Sequence, residues 1–317
     1  MAVKKEKVIE VINFYLNTSE KETLKVFSIT SETLHRYKRR YKECVTDFDL
    51  AINLKKIKEN YTEKEIFAIA GGGRIIPGQD KVPIVDFSGK KYKFCFFTDT
   101  HMGSKFFHED HYWAMLERAK KERVEAYYHA GDVTEGMSNR PGHIYELSHL
   151  GFEKQKDYAI KLLSEIKKPL YLISGNHDRW FIKSNGANVV KNIADNIKNA
   201  EFLGHDMGIV SIKKSNIQMW HGEDGSSYAT SYRMQKVIES LTGGTKPNVL
   251  LLGHVHKMGY FFERHIHAIS GGCIETQSSW MRSKRLAAHT GFFIVELTIN
   301  KKGHVVSCAP TWYPFYC

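Results

Sequence analysis

The chain has 317 residues, of which 42% are hydrophobic and 12% aromatic. That is enough apolar mass for one large domain plus a small one, and too much for a disordered chain. No apolar run reaches the roughly 18–20 residues of a membrane helix, so a helical membrane protein is excluded, and the formal net charge of +11 points to a polyanionic partner. The five cysteines, Cys44, Cys95, Cys273, Cys308 and Cys317, are odd in number and contain no C-x-x-C pair, the pattern of reduced thiols in a cytoplasmic protein rather than a disulfide frame or zinc ribbon.

Residues 1–45 read as helical. Val8, Val11, Ile12, Tyr15 and Leu16 share one face of a first helix. The start of this segment is basic and then apolar, like a signal peptide, but Glu10 interrupts the apolar part and no small-residue cleavage site follows. Ser19 and Glu22 have the S-x-x-E spacing of a capping box and open a second helix. After the break "SIT", Thr30 or Ser31 opens a third, "SETLHRYKRRYKE", with Leu34, Tyr37 and Tyr41 inward and His35, Arg36, Lys38, Arg39, Arg40 and Lys42 outward. These proportions resemble a helix-turn-helix DNA-binding domain, whose last helix enters the major groove. Arg36, Lys38, Arg39 and Arg40 are then the DNA-binding candidates. Residues 46–81 read as a connector, with helices around 50–57 and 62–70, broken by "GGGR" and "PGQD".

From residue 82 to 317 apolar runs alternate with helical ones, which predicts an α/β body with some antiparallel pairing late in the chain. The expected strands are 82–86, 91–98, 124–130, 169–174, 208–213, 216–220, 248–253, 259–270 and 291–299. The expected helices are 107–122, 152–167, 187–199 and 227–242. Five of these strands end in ligand-type residues: "DTH" after 91–98, "GDVTEG" after 124–130, "SGNHD" after 169–174, "HGE" after 216–220 and "GHVH" after 248–253. Strand carboxyl ends converge on one edge of an open α/β sheet, and glycine lets the backbone turn there without a side chain. Turn capping explains one such ending; it does not explain five.

The ordered series D-x-H, G-D-x-x-x-G, G-N-H-D, a lone His and G-H-x-H, spanning roughly residues 90–300, resembles the calcineurin-like metallophosphoesterase superfamily. The resemblance implies a two-sheet α/β sandwich flanked by helices, with a metal site at the strand ends. It implies one cation on Asp99, His101 and His256, a second on Asn176, His221 and His254, and Asp132 bridging them. Two divalent cations a few ångströms apart clamp the attacking and leaving oxygens of a phosphoryl group and acidify a water. Mixed carboxylate, amide and imidazole ligands suit manganese first, with iron or zinc as alternatives. His177 is then the general acid for the leaving oxygen, with Asp178 orienting it. Arg140 and His143, in "SNRPGH", are candidate phosphate contacts. Arg282, with Lys284 and Arg285 in "WMRSKRLAAH", is a candidate basic wall beside the site.

Together the two parts imply a metal-dependent DNA phosphodiesterase, endo- or exonucleolytic. The arrangement is similar to stand-alone metallophosphoesterases of bacteriophages and mobile elements, and more distantly to the catalytic subunits of double-strand-break repair nucleases. The competing reading is a phosphatase for phosphoprotein or a small phosphoester, whose basic helical N-terminus binds a protein partner.

Overall fold

The computed structural model describes residues 5–42, 82–225, 229–241 and 246–315. Its backbone divides into two compact units, Met1–Ala70 and Gly71–Cys317. The expected helices at 50–57 and 62–70 lie outside the described residues. Among those described, no helix is long and apolar enough to cross a membrane.

The first unit holds α1 (Lys5–Asn17), α2 (Glu20–Phe27) and α3 (Ser31–Lys42). Ser19 caps α2 by accepting the Glu22 N–H at 3.2 Å, and Thr30 caps α3 by accepting the Thr33 N–H at 3.2 Å. Each satisfies an amide that the helix start leaves without a partner. Ser28 takes a left-handed φ of 49° between them. Val8, Val11 and Ile12 of α1 bury against Leu34 and Tyr37 of α3.

The second unit is a sandwich of two mixed sheets. One has the order β12-β11-β2-β3-β4-β5, with β2 (Lys91–Phe97), β3 (Ala126–His129), β4 (Leu170–Ser174) and β5 (Ala200–His205) parallel. β11 (Gly291–Ile299) and β12 (Val305–Pro314) run antiparallel at one side. The other has the order β1-β6-β7-β8-β10-β9. It comprises β1 (Ile84–Val85), β6 (Met207–Ile212), β7 (Ser215–Trp220), β8 (Val249–Leu252), β9 (Met258–Glu263) and β10 (Ile266–Gly271).

The period-2 rule explains the layering. On β2, Tyr92, Phe94 and Phe96 enter the core between the sheets beside Val210, Ile217 and Leu251. Cys95 and Phe97 face the opposite way, into a second core with Tyr112 and Met115 of α4 (Glu109–Lys121), Leu162 of α5 (Phe152–Leu163) and Ile193 of α7 (Val189–Asp195). On the other sheet, Met234 and Ile238 of α8 (Thr230–Ser240) cover Leu250 and Leu252. Two short helices, α6 (Arg179–Asn185) and α9 (Ser279–Ser283), complete the set among the described residues.

The structure corrects the expected elements in places. The single strand at 259–270 is a hairpin, β9 and β10, turning at Arg264 and His265 with φ of 50° and 64°; two-residue turns of this kind favour Asn-Gly or Asp-Gly, so the sequence carries no turn signal there. β5, β12, α6 and α9 were not expected. The strand expected at 82–86 is reduced to Ile84–Val85.

Candidate metal and catalytic site

β2, β3 and β4 run parallel in one sheet, and β7 and β8 run parallel in the other. Their carboxyl ends deliver Asp99 and His101, Asp132 and Glu135, Asn176 and His177, His221, and His254 and His256. Asp99, His101, Asp132, His221 and His256 are buried, while Asn176, His177 and His254 are partly exposed. The loops approach too closely for side chains in their turns. A Cβ on Gly175 would lie 2.2 Å from Asp132 Oδ1, and one on Gly253 would lie 2.6 Å from the Ala130 carbonyl. Five of the site residues themselves, Asp99, His101, Asp132, His254 and His256, hold φ between 48° and 82°. Side chains rarely adopt this region, and its clustering at a site is stored strain.

Three groups of ligand-type atoms form at this edge among the described residues. They are Asp99, His101 and His256; His101, Glu135 and His177; and Asp132, His221 and His254, with the atoms of each group within 4.8 Å of one another. His221 Nδ1 donates to the Ala130 carbonyl at 2.7 Å, which leaves Nε2 of the neutral ring with a lone pair. That nitrogen faces Asn176 Oδ1 at 3.0 Å and Asp132 Oδ2 at 3.1 Å, and Asn176 Oδ1 also lies 2.9 Å from His254 Nδ1. His101 repeats the pattern. Its Nδ1 donates to Glu135 Oε2 at 2.8 Å, and its Nε2 faces His256 Nε2 at 3.2 Å. Lone pairs pointed at lone pairs in a buried site are the donor set of a cation, and the carboxylate behind His101 fixes its tautomer as outer partners of ligating imidazoles do. These residues fit divalent metal ions.

Where protons take the place of cations, the imidazoles of His221 and His256 are themselves raised and carry the positive charge. Burial opposes charge on Asp99 and Asp132, yet the facing imidazoles outweigh it: His256 and His221 hold Asp99 below the ordinary carboxylate range, and His221 and His177 hold Asp132 there. Burial likewise opposes charge on His177, but Asp132 and Glu135 raise it to about 10. Burial lowers His254 to about 4.

The expectation that Asp178 orients His177 is corrected. The Asp178 carboxylate accepts the N–H groups of Val133 (3.1 Å), Thr134 (2.8 Å) and Gly175 (2.9 Å) and the Thr134 hydroxyl (2.8 Å). It stitches the Asp132 loop to the His177 loop. His177 is instead held by Nδ1 donating to the Glu135 carbonyl at 2.9 Å, by its backbone N–H on Asp132 Oδ1 at 2.9 Å, and by the Trp180 ring at 3.9 Å between centroids. His143 is corrected too. It is buried, and its Nε2 donates to Glu135 Oε1 at 2.7 Å, so it braces Glu135 rather than meeting phosphate. Arg140 lines the cavity but pairs with Glu146. Arg282 is exposed and is not among the cavity's lining residues.

Sequence reasoning left Glu135 without a role and missed Glu275. Glu135 joins His101, His143 and His177. Glu275, buried, lies 3.4 Å from His256 Nδ1 and 3.8 Å from His101 Nε2. Arg233 of α8 was also missed. Buried over the Trp220 ring, it donates to the carbonyls of His221 (2.5 Å) and Gly253 (2.7 Å) and so ties two ligand loops together. On α3, Arg36 and Arg39 are exposed. Lys38 departs from the expected outward placement: it lies 3.9 Å over the Tyr15 ring and 3.7 Å from Glu20. The Arg40 side chain lies outside the described residues.

Residues 92–290 match the calcineurin-like phosphoesterase superfamily domain. The chain is 23% identical to the DNA polymerase II small subunit of Methanothermobacter thermautotrophicus, over 63% of this chain and 51% of that protein. It is 27% identical to the protein of the same name from Archaeoglobus fulgidus, over 65% of this chain and 51% of that one. It thus spans about half the length of these curated relatives. Among solved structures, it is similar to an archaeal phosphodiesterase at 17% identity and a TM-score of 0.42, covering 70% of this chain and 99% of that one. It is also similar to the phosphoesterase Yfce from E. coli at 16% identity and a TM-score of 0.41, covering 68% and 98%. With its two mixed sheets, its strand-end cluster and this match, the chain belongs to the calcineurin-like phosphoesterase superfamily.

Proposed function

We propose that this protein is a two-metal phosphodiesterase that cuts DNA. The observation that carries the reading is the Asp99, His101 and His256 group beside the Asp132, His221 and His254 group, with Asp132 Oδ2 3.8 Å from His101 Nε2 and His177 lining the same cavity. Asp99, His101 and His256 would hold one cation, and Asn176, His221 and His254 the other, with Asp132 between. Divalent ions bound there supply Lewis acidity toward the phosphoryl oxygens and lower the pKa of the attacking water; manganese is the metal to try first.

The chain's own groups do the rest. Because His177 Nδ1 is spent on the Glu135 carbonyl, the proton on Nε2 is the one available to the leaving oxygen. On that geometry the ring, lining the same cavity as the ligands, is the candidate general acid. Glu135 presents three contacts to His101, His143 and His177 and so couples the ligand set to the acid. DNA is favoured over a small phosphoester by the exposed Arg36 and Arg39 of α3, by the net charge of +11 and by the similarity to DNA polymerase II small subunits. In this reading residues 1–45 form the DNA-binding domain.

Purified protein with manganese should degrade plasmid or oligonucleotide DNA, and Asp132→Asn should abolish it. Turnover of p-nitrophenyl phosphate without any cleavage of DNA would replace the nuclease with a phosphatase.

A further inference from the structure

The segment after β10 carried a candidate basic wall, and the fold builds something else there. Arg282, Lys284 and Arg285 are exposed, whereas the described residues of this segment that line the cavity are Glu275, Ser278, Trp280, Met281 and Leu286. Trp280 stands on α9, whose start is fixed by the Ser278 hydroxyl accepting the Met281 N–H at 3.2 Å. It is 43% exposed, while Met281 beside it is buried. Trp180 lines the same cavity, its ring against His177. The cavity measures about 510 Å³, in the range of pockets that enclose one small molecule. What sets Trp280 apart from other exposed aromatics is its place in the lining of the cavity that holds His101, Asp132 and His177.

We propose that Trp280 is a nucleobase platform: the base flanking the scissile phosphate leaves its neighbours and stacks on the indole while the phosphate meets the metal ligands. This rests on the phosphodiesterase reading above and adds the substrate class. A base within a duplex has both faces covered by its neighbours, so stacking on protein requires an unpaired nucleotide, as at a strand end or in single-stranded DNA. Every base offers a π-face, so the platform is tolerant of sequence. Among the described residues lining the cavity, Arg140 pairs with Glu146, and the indole offers the nucleoside a stacking face.

Two esters with the same leaving group test the platform, thymidine 5′-(p-nitrophenyl phosphate) and methyl p-nitrophenyl phosphate. The wild-type enzyme should prefer the nucleoside ester, chiefly through KM. Trp280→Ala should lower that selectivity ratio roughly 10-fold, and Trp280→Phe should restore most of it. In magnesium buffer, thymidine 5′-monophosphate should quench tryptophan fluorescence saturably, with Trp180 of the same cavity as a second reporter, and Trp280→Ala should raise the half-saturating concentration roughly 10-fold. A selectivity ratio or a half-saturating concentration unchanged in Trp280→Ala overturns the proposal. If the wild-type enzyme hydrolyses neither ester, it is the phosphodiesterase reading that falls. The quenching then decides the platform alone: present and dependent on Trp280 it stands, absent it falls.

Discussion

Asp99, His101, Asp132, Asn176, His177, His221, His254 and His256 were legible because each sits in a short motif at a strand end. Glu135 lay inside one of those motifs, but three contacts from three different loops define it, and no spacing encodes them. Glu275 had no motif at all; only the return of the chain after β10 places it near His256. His177→Asn should slow turnover roughly 100-fold or more, the ordinary loss for a positioned acid, with metal content near that of the parent by elemental analysis. Loss of the metals would make His177 a ligand or a prop instead. Asp178→Ala leaves three buried amides and a hydroxyl without their acceptor. It should destabilise the protein by about 2–4 kcal/mol, read from the urea midpoint. A variant as stable as the parent would show that the two loops hold their positions without the stitch.

Elements were legible where the period was clean. β2 alternates and β8 is a short apolar run, and both were found. β12 was missed because Pro310 breaks its pattern. In the fold Pro310 lies opposite Val295 on a strand at the sheet edge, where the lost N–H costs no ladder bond with a further strand. β3 carries a prediction of its own. His129 Nε2 lies 2.9 Å from the Thr100 hydroxyl, its Nδ1 has no hydrogen-bond partner among the described residues, and Phe97 packs edge-on at 4.7 Å. Burial lowers this imidazole from 6.5 to about 3. Below pH 6.5 the unfolded chain binds a proton that the folded one refuses, so stability falls with acid, by up to about 1.4 kcal/mol per pH unit from this group, until about pH 3. Urea melts of the parent between pH 7 and 5 should therefore steepen relative to His129→Gln. Parallel curves would rule His129 out as the source.

At the scale of the whole chain, the fold was readable through a resemblance rather than through periodicity, since the order of strands in two sheets is not written in any local pattern. The helical unit was readable in its caps and its inward face, and Lys38 was misplaced because its stem reaches back over Tyr15, a contact between helices. The long-range prediction concerns charge. Arg36→Ala with Arg39→Ala should weaken DNA binding and flatten its salt dependence by up to roughly 0.9 log units per lost phosphate contact, measured by anisotropy across a salt series. Activity on DNA at low enzyme should drop relative to activity on bis-p-nitrophenyl phosphate. An unaltered salt slope would move the DNA contacts elsewhere on the molecule.

The left-handed residues of the site give this architecture an asymmetry between its fold and its chemistry. Asp99, His101, Asp132, His254 and His256 keep a backbone that their side chains oppose, and the rest of the sandwich holds them there like a wound spring. Replacement by glycine removes the ligand and lets the spring run down. His101→Gly should therefore be more stable than His101→Ala, by up to about 1 kcal/mol once the added freedom of the unfolded chain is subtracted. The tension at these positions is a cost that the surrounding fold carries so that the ligand-type side chains meet at one edge.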